Sequence, residues 1–242
     1  MKNIASPLVG LFALMLAHAP AALAQASCSS DGTAQPVALF ERFINADCEA
    51  CWADAATPAP SATSGALVLD WIVPAASGDE AALSAAATTD ALARLQSLGR
   101  KVPAATDIHI TQVEPKAAGK LRVAHGLPLG GYIGTGIALA PSPNATAPKP
   151  KGVLNYHLLL VESVPAGTNG TAVPRHIVRN VLEGAWTDTD PRPTAKTARQ
   201  WRWMEARPMN VPAGAQAERL QMVGWVDDAQ GRIVAAAQSV CR

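Results

Sequence analysis

The sequence predicts an α+β chain in which a short α/β segment near the N-terminus precedes a β-sandwich-like antiparallel domain. Three observations carry this expectation. A strand, helix, strand, helix succession occupies residues 37–98. A series of short apolar runs broken by Gly, Pro, Asn and Asp fills most of the remainder, with little helical periodicity between them. The third is a Cys-x-x-Cys pair, Cys48 and Cys51, set at the expected junction of the first strand with the first helix.

Residues 1–24 read as a signal peptide. Lys2 precedes an apolar run over 8–16, and Ala22-Leu23-Ala24 has the small-x-small pattern of a cleavage site. The apolar run is shorter than the roughly 20 residues that cross a bilayer, and no later stretch is long and apolar enough. Cys28 lacks the leucine-rich approach of a lipid-modified cysteine. The expectation is an exported protein, periplasmic or secreted, with no membrane span after cleavage. Loss of Lys2, with no acid removed, takes the formal charge from +1 to zero, which gives no basis for a nucleic-acid partner.

Residues 25–36 are small and polar and read as a flexible arm. Val37, Leu39, Phe40, Phe43 and Ile44 then form a nearly continuous apolar run, the pattern of a strand buried on both faces. A helix is expected from about Glu49 to Thr57, stopped by Pro58 and Pro60. A second buried strand covers 66–73. After Pro74 and Gly78, the Ala-rich stretch 79–98 reads as helix, with Gly99 as its stop. The boundary falls near 100–106, dividing the chain into 37–103 and a β-rich domain over 104–242. Strands are expected at 108–113, 121–124, 133–139, 153–164, 172–182, 219–226 and 233–238, forming a sandwich or a barrel. The segments 140–152 and 187–198 read as exposed loops.

All four cysteines lie beyond the signal, and an even number in an oxidising compartment implies disulfides. Four cysteines allow three pairings. The local pair Cys48–Cys51 leaves Cys28 and Cys241 as a structural bridge between the ends of the mature chain. In a CxxC the first sulfur typically sits at a helix N-terminus, where unpaired N–H groups favour a thiolate. Cys48 is then the nucleophile and Cys51 the resolving thiol. Asp47 and Glu49 flank Cys48, and their charge opposes a thiolate, so the dithiol should be less oxidising than that of a strong oxidase. The other reading is a small structural disulfide.

Glu41, at the end of the first strand, is either a buried proton acceptor near the dithiol or the partner of Arg42 or of a loop arginine. Asp70 and Trp71 end the second strand on the edge where sites of open α/β sheets gather, which makes Asp70, Trp52 and Trp71 candidate neighbours of the cysteines. Ordinary core packing explains the tryptophans equally well. His109, His125, His157 and His176 lie in separate runs without metal-type spacing, so neither metal nor cofactor is expected. The glycines of 130–136 lack the Lys-Ser/Thr of a phosphate loop, and no Gly-x-Ser-x-Gly elbow is present. Asn144 and Asn169 begin glycosylation-type sequons that mark surface loops. Trp201 and Trp203 alternate as on a strand, with core packing as their expected role.

Glu41-Arg42-Phe43 ahead of Cys48-x-x-Cys51, the run Leu158-Leu159-Leu160-Val161-Glu162, Ile177-Val178-Arg179, and the closing segments Val226-Asp227-Asp228 and Ile233-Val234-Ala235-Ala236 together resemble a secreted thioredoxin-like family of unknown function. The resemblance, as to a divergent member, implies a shortened thioredoxin-like CxxC domain followed by a C-terminal β domain. This chain has Trp52-Ala53 where the family has prolines, and Pro103 is the nearest counterpart of the family's later Thr-Pro segment. The implied activity is thiol–disulfide exchange on envelope proteins that carry thiols or disulfides. The competing reading is a non-catalytic envelope binding or scaffolding protein whose disulfides are both structural. The sequence assigns neither substrate nor oligomeric state.

Overall fold

The computed structural model describes residues 28–61, 63–114, 119–140, 152–187, 189–190 and 201–241. The signal-peptide reading of 1–24, the Asn144 sequon and most of the two expected loops fall outside them. Eleven strands are described: β1 Cys28–Ser29, β2 Ala38–Asn45, β3 Ala66–Val73, β4 Thr106–Gln112, β5 Lys120–His125, β6 Tyr132–Ala140, β7 Leu154–Val164, β8 Arg175–Trp186, β9 Trp203–Asn210, β10 Leu220–Asp227 and β11 Ile233–Gln238. Two α-helices accompany them, α1 Glu49–Ala53 and α2 Thr89–Ser97.

The fold is mostly β and corrects the expected class: the first 100 residues do not close into a thioredoxin-like α/β domain. β2 pairs in parallel with β3 and antiparallel with β4, while β3 pairs in parallel with β8 at Asp70 and Ile177. One seven-stranded mixed sheet results, in the order β11-β10-β7-β8-β3-β2-β4, and a four-stranded sheet, β1-β5-β6-β9, packs on it. The physical reason lies in supply and demand of apolar surface. β2, β3 and β7 are buried on both faces; helices of five and nine residues cover β2 and β3 but leave one face of β7, β10 and β11 open, and the second sheet covers that face.

The expected second helix breaks up as well. Gly78–Glu80 and Ser84–Ala86 are 3-10 turns, and the α-helix starts only where the Thr88 hydroxyl accepts the N–H of Ala91. It ends at Gly99, whose φ of 65° lets its own N–H and that of Arg100 reach the carbonyls of Gln96 and Leu95. At the other end of the chain's first segment, β1 is pinned rather than loose. It pairs with β5, and Ser30 Oγ accepts the N–H of Val123.

Three apolar clusters fix the layers. Val123, Ile133, Ile137 and Leu139 of the small sheet meet Leu158, Leu160, Met222 and Ala235 of the large one. On the same face of the large sheet, Ile44, Ile72, Val164 and Ile177 pack under Trp52 of α1. On the opposite face, Leu39, Phe43, Leu69, Trp71 and Trp225 pack under Ala91 and Leu95 of α2. At the β7–β8 bulge, Leu160 pairs with Asn180 and Val161 with Val178, leaving Arg179 as the extra residue. It donates to the buried Glu162 at 2.8 Å.

Gly224 of β10 lies directly against the small sheet. A methyl group there would lie 2.7 Å from Val123 Cγ1, 3.1 Å from Ile137 Cδ1 and 3.1 Å from the His157 carbonyl oxygen. Gly224→Ala should therefore cost about 1–3 kcal/mol by overpacking, read as a lower urea midpoint with an unchanged slope.

Candidate functional site

The carboxyl end of β2 builds the CxxC turn. Asn45 Oδ1 accepts the N–H of Asp47 at 2.9 Å, and the Asn45 carbonyl accepts that of Cys48 at 2.9 Å. The Asn45 amide donates to the carbonyl of Pro103 at 2.9 Å, which ties the turn to the segment entering β4. Cys48 is the N-cap of α1, and its Sγ accepts the N–H of Cys51 at 3.3 Å. Cys48 and Cys51 are joined by a disulfide, and Cys28 and Cys241 by another, as the sequence predicts. Both CxxC cysteines are half-buried, between the exposed Asp47, Glu49, Ala50 and Ala53 and the buried Trp52.

Beneath this turn lies a charged cluster that sequence reasoning found only in part. Asp70 is fully buried and accepts from Arg42 Nε at 2.7 Å and from the His176 N–H at 2.6 Å. Arg175, also fully buried, has Nη1 3.8 Å from Asp70 Oδ1. Its Nη2 donates to the carbonyls of Cys51 and Trp52 at 3.0 and 2.6 Å, and its guanidinium lies over the Trp52 ring. Trp52 Nε1 in turn donates to the Asn169 carbonyl at 2.6 Å. Asn169, at φ 49°, and Gly170 make the tight turn that offers that carbonyl. Burial lowers the Arg175 pKa below the ordinary guanidinium value, opposed by the charge of Asp70. Two buried cations thus share one carboxylate, with further acceptors in the Cys51 and Trp52 carbonyls and the Thr171 hydroxyl for Arg175 and in the Pro58 carbonyl for Arg42.

The candidate residues divide by strand parity. In the parallel register Arg42 faces Asp70, whereas Glu41 faces Leu69 and Phe43 faces Trp71. Asp70, Trp52 and the two cysteines share one side of the large sheet. Glu41 and Trp71 lie on the other, among the residues under α2. Glu41 is fully buried there and accepts both guanidinium bonds of Arg94 of α2, at 2.8 and 2.7 Å, and the Trp71 Nε1–H at 3.2 Å. Its partner is therefore neither Arg42 nor a loop arginine. Arg94 and Arg175 carried no sequence signal, because each reaches its acceptors from an element remote in the chain. Trp203 stacks on Trp186 between the sheets and donates to the Thr187 carbonyl, so it belongs to the core.

A second titratable group adjoins the Arg94 network. His157 lies on the Trp225 ring with Nδ1 2.7 Å from Glu183 Oε1 and Nε2 2.6 Å from Asp227 Oδ1. Burial pushes this imidazole down, but the bonds to Asp227 and Glu183 and their charges outweigh it, so its pKa lies above the usual 6.5. A raised folded pKa means stability that is complete below the unfolded value and lost as pH rises through the folded one. The stability difference between wild type and His157→Gln should be largest below pH 6.5 and shrink as pH rises through the folded pKa. Urea titrations of both proteins across that range check this. The difference is needed because burial lowers the pKa values of His109, His125 and His176, which gives the opposite slope.

For metal ligation, one group stands out among the described residues: Cys28, His125 and Cys241, whose ligand atoms lie within 4.8 Å of one another. No described helix is long and apolar enough to cross a membrane.

Comparison with known proteins adds little to this geometry. No protein-family profile matches the chain, and no curated protein matches it either. Among solved structures, HBP35 of Porphyromonas gingivalis is similar with a TM-score of 0.45 and 12% identity, over 86% of this chain and 76% of that one.

Proposed function

We propose that this is an exported protein that exchanges disulfides with envelope proteins through Cys48 and Cys51. One observation carries the reading: a CxxC disulfide whose first sulfur caps a helix at 3.3 Å from a backbone N–H, half-exposed at the end of a fully buried strand. In the oxidised form a substrate thiolate attacks Cys48 Sγ, and the S–S bond breaks with Cys51 leaving as thiolate. A second substrate thiolate then attacks the mixed disulfide and releases Cys48, so two electrons pass from substrate to protein. The Cys51 N–H that now points at Cys48 Sγ stabilises the thiolate so formed. Arg175, holding the Cys51 and Trp52 carbonyls, keeps that donor in place through the cycle. Two disulfides in one chain suit an oxidising compartment.

The test is turnover. With a chemical dithiol as electron source, the full chain should accelerate reduction of insulin disulfides, Cys48→Ser should fall to the uncatalysed rate, and Cys51→Ser should accumulate a mixed disulfide. The potential of the Cys48–Cys51 bond, measured with Cys28 and Cys241 replaced by serine, should lie above roughly −300 mV, the region of structural bridges. A lower value with no turnover would leave the bond as a staple.

A second reading, a binding or scaffolding role, is favoured by a separate observation. Leu127 and Leu129 of the β5–β6 connection and Tyr132 at the start of β6 are exposed, Leu129 by 85%. Exposed apolar side chains grouped this way suit a protein partner. Such binding should survive in Cys48→Ser.

A further inference from the structure

We infer that Cys28, His125 and Cys241 form a latent Zn²⁺ site, closed while the two sulfurs are bonded to each other and opened when a dithiol reduces that bond. The first observation is the imidazole. His125 is only 6% exposed, and its Nδ1 lies 2.9 Å from the Gly126 carbonyl oxygen. A carbonyl can only accept, so Nδ1 carries the proton and the neutral ring presents the Nε2 lone pair. That Nε2 is buried and makes no hydrogen bond among the described residues. A bare buried acceptor of this kind calls for an explanation, and a ring nitrogen of His125 lies within 4.8 Å of both sulfurs of the Cys28–Cys241 bond.

The second observation is that the convergence does not depend on the disulfide alone. Cys28 stands opposite His125 in the β1–β5 ladder. Ser29 and Val240 exchange both backbone hydrogen bonds, at 3.2 and 2.9 Å, which brings the neighbouring Cys241 to the same place. Three segments distant in the chain therefore deliver their side chains to one point through backbone pairing. Cys28 and His125 are buried while Cys241 is exposed, which gives an ion a way in.

The donor set selects the metal. Two thiolates and one imidazole suit Zn²⁺ and leave its fourth tetrahedral position to water. The Gly126 carbonyl is the outer partner that fixes the ring's tautomer and orientation. In the redox step the Cys28–Cys241 bond accepts two electrons and two protons from the dithiol, which becomes a disulfide. Zn²⁺ then displaces the two thiol protons as the thiolates bind it. A disulfide that accepts the two electrons, with two protons from water, and so becomes a dithiol, re-forms the Cys28–Cys241 bond and expels the ion.

The experiment uses the full chain carrying Cys48→Ser and Cys51→Ser, so that the only remaining thiols are Cys28 and Cys241. Zn²⁺ is titrated in competition with a chromophoric chelator, before and after reduction. The reduced protein should bind one ion per chain and the oxidised protein none. His125→Gln in the same background should weaken binding by more than about tenfold, since even the loss of an outer partner costs tenfold or more. Cobalt in place of zinc should give thiolate-to-metal charge-transfer absorption that shifts in His125→Gln. Binding to the oxidised protein, no binding after reduction, or equal affinity in His125→Gln would each overturn the site. Circular dichroism is followed throughout. Should reduction unfold the chain, Zn²⁺ must restore the native spectrum at a concentration that fails to restore His125→Gln, and failure to do so overturns the site as well.

Discussion

Asp70→Ala should destabilise the protein by about 3–5 kcal/mol, the cost of leaving a buried charge without its partner. The expectation comes from what the carboxylate holds apart and together. Arg42 is 1% exposed and Arg175 fully buried, so neither can turn to water when Asp70 is removed. Arg42 would keep its 2.6 Å bond to the Pro58 carbonyl, and Arg175 its bonds to Cys51 and Trp52. Neither would retain the carboxylate beside it, Asp54 acting on Arg175 only through its more distant charge, and the N–H of His176 would lose its acceptor as well. Urea denaturation measures the loss. A cycle with Arg42→Leu shows whether it belongs to the pair, because removing both members should cost far less than the sum of the single changes. A loss below about 1 kcal/mol for Asp70→Ala alone would mean that the two guanidinium groups reach solvent. The same substitution should slow insulin reduction, since Arg175 is the link between the buried cluster and the CxxC helix.

The strands were largely legible in the sequence, and the way they join was not. Runs such as 158–164 and 219–226 are apolar enough to identify themselves as buried strands, and β7 and β10 run through both. β9 was visible only through the alternation around Trp203. What periodicity could not convey is that β3 finds its second neighbour in β8, more than 100 residues away, through a single paired position. Local patterns name an element's type, whereas pairing between distant strands depends on which apolar faces remain uncovered after the local units have formed. That one long-range pairing turns an expected pair of domains into strands of a common sheet.

The candidate site followed the same division. Cys48 and Cys51 carry their chemistry in a four-residue spacing, and Cys28 with Cys241 could be paired by elimination. Arg175 and His125 could not, because each acquires meaning only from the segment opposite: His125 from Cys28 across β1–β5, Arg175 from carbonyls 123 and 124 positions earlier. Glu41 and Asp70 do not share a face: two buried strands in parallel register send Arg42, and not Glu41, to the side of Asp70. Once the register is known, alternation alone separates Glu41 from the cysteines.

Removing the two disulfides one at a time should give sharply unequal losses of stability. On the chain-entropy account, a bridge between residues 213 apart stabilises by about 5 kcal/mol, and one between residues three apart by about 2 kcal/mol. The reason is that the unfolded chain loses much conformational freedom when its distant ends are joined, and little when a single turn is closed. Cys28→Ser with Cys241→Ser should therefore lower the urea midpoint far more than Cys48→Ser with Cys51→Ser, under non-reducing conditions and without metal. The backbone bonds between Ser29 and Val240 do not alter this, because they act in the folded state and the difference arises in the unfolded one. The inequality bears on both chemical proposals. A bond whose opening costs little can cycle between oxidised and reduced forms while the fold persists, which thiol exchange at Cys48 requires. A bond whose opening costs much leaves its reduced form in need of a replacement link, and an ion held by Cys28, His125 and Cys241 would supply one. Equal losses in the two double variants would remove that distinction and with it the reason for assigning the bridges different roles.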